Sequence, residues 1–173
     1  MKKITVILIF SILLFQAYSE TLLVYTRNNV EAEEDFPAAV LKAQAAVEDG
    51  IMSVLFDDGH IVFNAGVVKD EEDLDIVSDR VSVRVAKNGG ASWLVEVDLY
   101  YTQSGDEKQF TKAEYSLYDL NKDEQLISEQ VSVQDVRTRD DQKLDELCQL
   151  LGEGIGFHVA RWLPDESIAN LTN

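Results

Sequence analysis

At 173 residues, 46% apolar and 27% charged, with a formal net charge of −17, the chain suits one folded domain and is too apolar for a disordered acidic tail. One Cys excludes an internal disulfide, and one Cys with two His leaves little material for a zinc site. An acid excess of this size lacks the clustered positive surface that phosphates require, so no nucleic-acid partner is expected.

Residues 1–19 read as a secretory signal peptide. Lys2 and Lys3 give a positive start, Ile4 to Phe15 an apolar run, and Ala17-Tyr18-Ser19 the small residues that a signal peptidase reads. At 1.5 Å per residue the run spans about 18 Å, short of a bilayer core of roughly 30 Å. A cleaved signal is expected, with no membrane span left after it. Cleavage near Ser19 implies a periplasmic or secreted chain. No Cys lies near that point to carry a lipid. Residues 20–163 then read as a single globular domain, and 164–173 as a short polar tail.

Thr21 to Arg27 is β-prone and gives a first strand. Asp35 can cap a helix with Pro37 in its first turn. From there Val40, Leu41, Val47, Ile51, Val54 and Leu55 recur at helical spacing, and Gly59 stands where a left-handed C-cap belongs. His60 to Asn64 reads as a second strand. Asp70 to Asn88 carries two patterns. Leu74, Val77, Val81 and Val85 fit a helix whose first turn holds Asp70, Glu71, Glu72 and Asp73. Val81, Val83 and Val85 also alternate ahead of Asn88-Gly89-Gly90, which fits a hairpin. The four acids favour the helix. Ser92 to Thr102 is a strand with Trp93, Val95, Val97 and Leu99 on one face and Leu94, Glu96 and Asp98 on the other. After a turn at Ser104 to Glu107, Lys112 to Leu120 alternates with Ala113, Tyr115, Leu117 and Asp119 on one face. Asn121 to Glu124 turns again, and Gln125 to Val133 returns as a strand. The three make an antiparallel meander with one wet face. Asp140 to Trp162 is a final helix with Leu144, Leu147, Leu151, Ile155, His158 and Trp162 as its stripe. The order β-α-β-α-β-β-β-α predicts an α/β fold (α+β if the sheet is mostly antiparallel): one sheet of about five strands with three helices packed on it.

A long helix running into DDGHIVFN, a helix through NGG into ASWLVEVDLYY, the hairpin YSLYDLNKDEQLI and a C-terminal helix together resemble a periplasmic α/β domain family. That family includes the penicillin-binding-protein-activator lipoproteins, the curli-secretion lipoprotein domain and the N-terminal domain of the Tol-system β-propeller protein. The resemblance covers most of residues 21–162 as a pattern. It implies a domain that docks onto other envelope proteins and is not an enzyme. The lipid-attachment Cys of the lipoprotein members is missing.

The acids concentrate at Glu31 to Asp35, at Asp70 to Asp75 and at Asp135 to Glu146, before or inside the first turns of expected helices. There they favour the positive helix end by about 0.3–1 kcal/mol each. They also set up a field suited to a partner with a basic surface. Asp119-Leu-Asn121-Lys-Asp123 matches the opening of a calcium loop. Glu124 then stands where Gly is needed, and Gln130 where the bidentate Glu belongs, so a hairpin turn is expected, with Asp119, Asn121 and Asp123 as a weak metal candidate. Cys148 reads as a buried thiol. It lies about 15 Å along one helix from His158, too far for a nucleophile–base pair. Its exposure is open. His60, after Asp57-Asp58-Gly59, suits capping or surface hydrogen bonding, and His158 reads as a core residue. Gly152, Gly154 and Gly156 match no phosphate loop and imply close packing on the sheet or a kink. Tyr100 and Tyr118, if both lie on the wet face, form an interaction patch.

No catalytic residue and no cofactor follow from these motifs. The expected function is a non-catalytic periplasmic interaction or adaptor domain that docks onto an envelope protein. The alternative is a small-ligand or weak cation-binding periplasmic protein. An enzyme would require two convergent carboxyls, one with a raised pKa.

Overall fold

A computed structural model describes residues 20–29, 38–67, 80–104, 107–136 and 143–164. The expected signal peptide, the Asp35–Pro37 helix start, the acids from Asp70 to Asp75, Asp140 and Asp141 and the polar tail beyond Pro164 lie outside the described residues. The elements run β1 (Thr21–Asn29), α1 (Ala38–Asp57), β2 (Ile61–Asn64), a 3-10 turn (Ala65–Val67), α2 (Val81–Asn88), β3 (Trp93–Ser104), β4 (Glu107–Asp119), β5 (Glu124–Ser132), the single turn α3 (Val133–Val136) and α4 (Leu144–Ala160). They form one five-stranded sheet in the order β2-β1-β3-β4-β5. β1 is parallel to both of its neighbours, while β3, β4 and β5 form the antiparallel meander. The fold is therefore the expected helix-bearing sheet, with a parallel half and an antiparallel half. Among the described residues no helix is long and apolar enough to cross a membrane.

Strand alternation sends one set of side chains to each face. Leu22, Val24, Val95, Val97, Leu99, Ala113, Tyr115 and Leu117 form the main core with Val47, Ile51 and Leu55 of α1 and Leu147, Leu151, Ile155 and Val159 of α4. On the other face Leu23 and Leu94 pack with Val83, Val85 and Ala86 of α2 and with Leu120.

Val81 to Val85 is helical, as the first of the two patterns expects, but the helix starts later than expected. Arg80 has extended backbone (φ −102°, ψ 119°) and is the N-cap. The first turn of α2 holds no acid. α1 likewise has no acid in its first turn, whereas α4 has Asp145 and Glu146 there. α1 and α2 end alike. Gly59 (φ 93°) and Gly90 (φ 76°) are left-handed. The N–H of His60 reaches Leu55 O at 3.1 Å and that of Ala91 reaches Ala86 O at 2.9 Å, closing a Schellman motif on each helix.

The stripes are rotated from the expected ones. Leu41 (52%), Trp162 (50%) and Leu144 (37%) are exposed, while Cys148, Gly152 and Gly156 are buried on α4. The reason is that α4 packs on two surfaces, the sheet and α1. A Cβ on Gly50 would lie 2.3 Å from Gln149 O, one on Gly152 2.2 Å from Val47 O, and one on Gly156 2.9 Å from the Val54 Cβ. The glycines thus allow close packing against α1, not against the sheet. Nothing lies within 4 Å of a Cβ at Gly154.

Candidate functional site

Two helices cover one sheet face, but only the eight residues of α2 are described on the other, over its Leu23–Leu94 end. Beyond α2 the register sets three rows across β1, β3, β4 and β5. They are Tyr25–Glu96–Ser116–Ser128, Arg27–Asp98–Glu114–Gln130 and Asn29–Tyr100–Lys112–Ser132. This is the wet face that the alternation of β3 predicts.

Its charges are paired. Arg27 makes a bidentate bond to Asp98, Nε to Oδ1 at 2.8 Å and Nη2 to Oδ2 at 2.7 Å. That hydrogen bonding, with Glu96 adding, holds the guanidinium above its usual pKa despite partial burial. Glu96 is buried; it lies 3.2 Å from Arg27 Nη1, accepts from Ser82 Oγ at 2.9 Å and pairs with Arg80. In the next row, Lys112 Nζ donates to Glu114 at 2.6 Å and Tyr100 OH donates to Glu114 at 2.9 Å. Lys112 and then Tyr100 hold the Glu114 carboxyl below its usual pKa, and the same bond raises the Tyr100 phenol. A general acid at neutral pH needs a carboxyl shifted up, so Glu114 is shifted the wrong way for that chemistry. The face instead offers a fixed array of planar polar groups and aromatic rings.

Tyr100 and Tyr118 both belong to this face. Tyr118 is opposite Leu94, six residues before Tyr100 on β3, so the rings stand about 20 Å apart. Each carries its own cation. Arg80 Cζ is 4.3 Å from the Tyr118 ring centre, and Lys112 Nζ is 4.5 Å from that of Tyr100. Beside Tyr118, a cleft of about 370 Å³ is lined by Arg80, Val83, Leu120, Asp123 and Gln125 among others.

Asp119, Asn121 and Asp123 lie in the β4–β5 hairpin. Asp119 Oδ1 accepts the N–H of Asn121 at 3.0 Å and of Lys122 at 3.1 Å, and Oδ2 is 2.8 Å from Lys122 Nζ. Burial pushes this carboxyl up, but the bonds from Lys122 and the two backbone groups outweigh it and hold the pKa below the usual Asp value. Asp123 takes the left-handed turn position (φ 56°). Among the described residues no group of three His, Cys, Asp or Glu could hold a metal.

The remaining sites lie elsewhere. His60 is buried rather than on the surface, its Nε2 3.6 Å from Asp58 Oδ2. His158 is half-buried, its Nδ1 2.7 Å from the Tyr115 hydroxyl. Cys148 is fully buried, and burial pushes its thiol up to about 12. Sequence reasoning missed Arg27, Arg80, Lys112 and Glu114 as parts of one array. The alternation of β3 sets Glu96 and Asp98 on one face, but their partners come from β1 and from the start of α2, whose placement no local pattern reveals.

The sequence matches no protein-family model and no curated protein. Among solved structures it is similar to a leucine-to-methionine variant of PelC, a dodecamer, from Paraburkholderia phytofirmans, at 12% identity over 79% of this chain and 85% of that one, with a TM-score of 0.47. It is also similar to TolB from Acinetobacter baumannii, at 12% identity over 86% of this chain and 30% of that one, with a TM-score of 0.40. The C-terminal domain of LpoB from Salmonella enterica matches at 11% identity over 72% of this chain and 90% of that one, with a TM-score of 0.37.

Proposed function

We propose that the chain is a non-catalytic interaction domain of the bacterial envelope, docking onto another envelope protein through the open face of β1, β3, β4 and β5. One observation carries this reading. Among the described residues, the face beyond α2 presents three rows of polar and aromatic side chains, all exposed or half-exposed except the buried Glu96, whose charges are already paired. Paired charges hold one geometry and select a partner by complementarity more than by raw attraction. The test is cross-linking of the tagged chain in cells. One envelope protein in near-equal amount is expected. Tyr100→Ala and Arg27→Ala should each lower its recovery several-fold while the fold stays intact. Unchanged recovery in both variants overturns the reading, as does a specific catalytic activity abolished by one Asp or Glu substitution.

The cleft beside Arg80 and Tyr118 favours a second reading, a small-ligand site, because its volume of about 370 Å³ lies within the range of ligand pockets. A cation at Asp119 would have to displace Lys122. A rise in melting temperature with calcium or a small-molecule panel, abolished by Asp119→Asn or by Tyr118→Ala respectively, would move the assignment to this reading.

A further inference from the structure

We infer that the edge of β5, with the flank of α4 above it, is a second docking surface, and that it takes an extended basic segment of another protein as a sixth strand. The inference rests on reading the chain as an interaction domain, but not on the open face. Among the described residues β5 pairs with β4 alone. Ser132 donates its N–H to Asp135 Oδ2 at 2.8 Å, not to β4. The Lys112–Ser132 pair is therefore of the wide, non-hydrogen-bonded kind. The register is unbroken to Leu117, so Glu114–Gln130 and Ser116–Ser128 are of the same kind. The N–H and C=O groups of Gln130 and Ser128 thus point outward along an edge of exposed residues, and Asp135 closes its end.

The helix above adds an apolar wall. On α4, Gly152 and Gly156 meet α1, and Gly154 falls on the opposite flank, at roughly 100° per residue. Gly154 lies between half-buried Leu150 and Phe157, which is 60% exposed. A mid-helix Gly weakens the helix by about 1 kcal/mol relative to Ala, and no described neighbour needs the space at 154. The flank away from α1 is the β5 side, since β4 meets α4 through Tyr115 and His158 and α3 links β5 to it.

Charge selects the occupant. β5 carries Glu124 and Glu129 and no Lys or Arg; α4 carries Asp145, Glu146 and Glu153 and no Lys or Arg. A second copy would set like charges against each other. A strand carrying Lys or Arg opposite Glu129, and apolar side chains against Leu150 and Phe157, fits both features.

The test places a photo-cross-linking residue at Gln130, at Phe157 or at Tyr100 in the full chain in cells. Expected is one partner segment, bearing Lys or Arg, captured from both 130 and 157. Gln130→Pro, read from position 157, should lower that yield at least fivefold, because it removes an outward N–H and edge strands tolerate Pro. Glu129→Lys should do the same without altering the backbone. No adduct from 130 and 157, capture of a second copy or of a segment without bases, or yields unchanged in both variants each overturns the inference. Because the Gln130 side chain also lies in an open-face row, adducts from Tyr100, with or without Gln130 but not from Phe157, would leave the open-face reading standing and remove this one; adducts from none of the three would remove both.

Discussion

Two glycines on one helix turn, two residues apart, should respond to the same substitution with opposite signs. Gly154→Ala replaces a helix-breaking residue where nothing lies within 4 Å of the new Cβ. Its expected effect is the propensity gain, about 1 kcal/mol, which for a domain of this size raises the melting temperature by roughly 2–4 °C. Gly152→Ala gains the same propensity, but its Cβ would lie 2.2 Å from Val47 O. Ordinary contact needs about 1 Å more, and a backbone oxygen on a helix held also at Gly50 and Gly156 cannot retreat alone. Overpacking of this kind removes about 1–3 kcal/mol or more, and here the upper end applies because the clash is with backbone. The net loss is about 2 kcal/mol, or roughly 4–8 °C. Gly156→Ala falls between, since its nearest atom is a Val54 side-chain carbon at 2.9 Å. Circular dichroism melts and urea titrations of the three variants give the order directly, and equal urea slopes would show that the denatured state is not the cause. Gly152→Ala at or above wild-type stability, or Gly154→Ala falling with it, would refute the reasoning.

Cys148, with its thiol pushed up to about 12 by burial and by Asp145, should react with a thiol reagent at pH 8 only through unfolding, so urea should accelerate the reaction by orders of magnitude; rapid native-state labelling would contradict the burial. Glu96→Gln breaks the buried end of the Arg27–Arg80–Ser82 network and should destabilise by about 2 kcal/mol in denaturant titration, with Arg27→Ala less than additive to it. Asp119 has a folded pKa below its unfolded one, so its stabilisation is present above the unfolded value and is lost as the pH falls through the folded one. Asp119→Asn should therefore melt about 1–2 °C below wild type at neutral pH, a small gap because Lys122 is 68% exposed, and the gap should close as the pH falls through the Asp range. A gap that persists in acid would assign the effect to the backbone turn.

Local signals were legible where the chain reports on its nearest neighbours. The parity of β3 separated Val95, Val97 and Leu99 from Glu96 and Asp98, and the Gly59 cap followed from one glycine after an apolar run. Long-range signals were not. Arg27 and Asp98 are 71 residues apart, and only the parallel register of β1 on β3 makes them partners. The stripe of α4 was misplaced for a related reason. Periodicity locates an apolar arc against one surface, whereas Gly152 and Gly156 reveal a second surface only when the helix that fills it is known.

The choice at Val81 to Val85 ties the fold to the function. A two-residue hairpin of the kind that Asn-Gly-Gly suggests requires positive φ at two central residues. Here Gly89 has φ −72° and Gly90 φ 76°, which is what a helix cap needs, one left-handed residue after the last turn. As a strand, this segment would turn Val81, Val83 and Val85 to one face and Ser82, Arg84 and Ala86 to the other. As a helix it sets Val83, Val85 and Ala86 on Leu23 and Leu94 and stops after eight residues. That length closes the apolar end of the second face and reaches no further. The rows from Glu96 to Tyr100 are then left to pair their own charges, and Arg80, at the N-cap, is placed to reach both Glu96 and the Tyr118 ring. Among the described residues, the N-terminal end of α2 at Arg80 thus bounds the rows, and on the proposed function an engineered helical extension laid from that end over Asp98 and Tyr100 should abolish docking without altering the sheet.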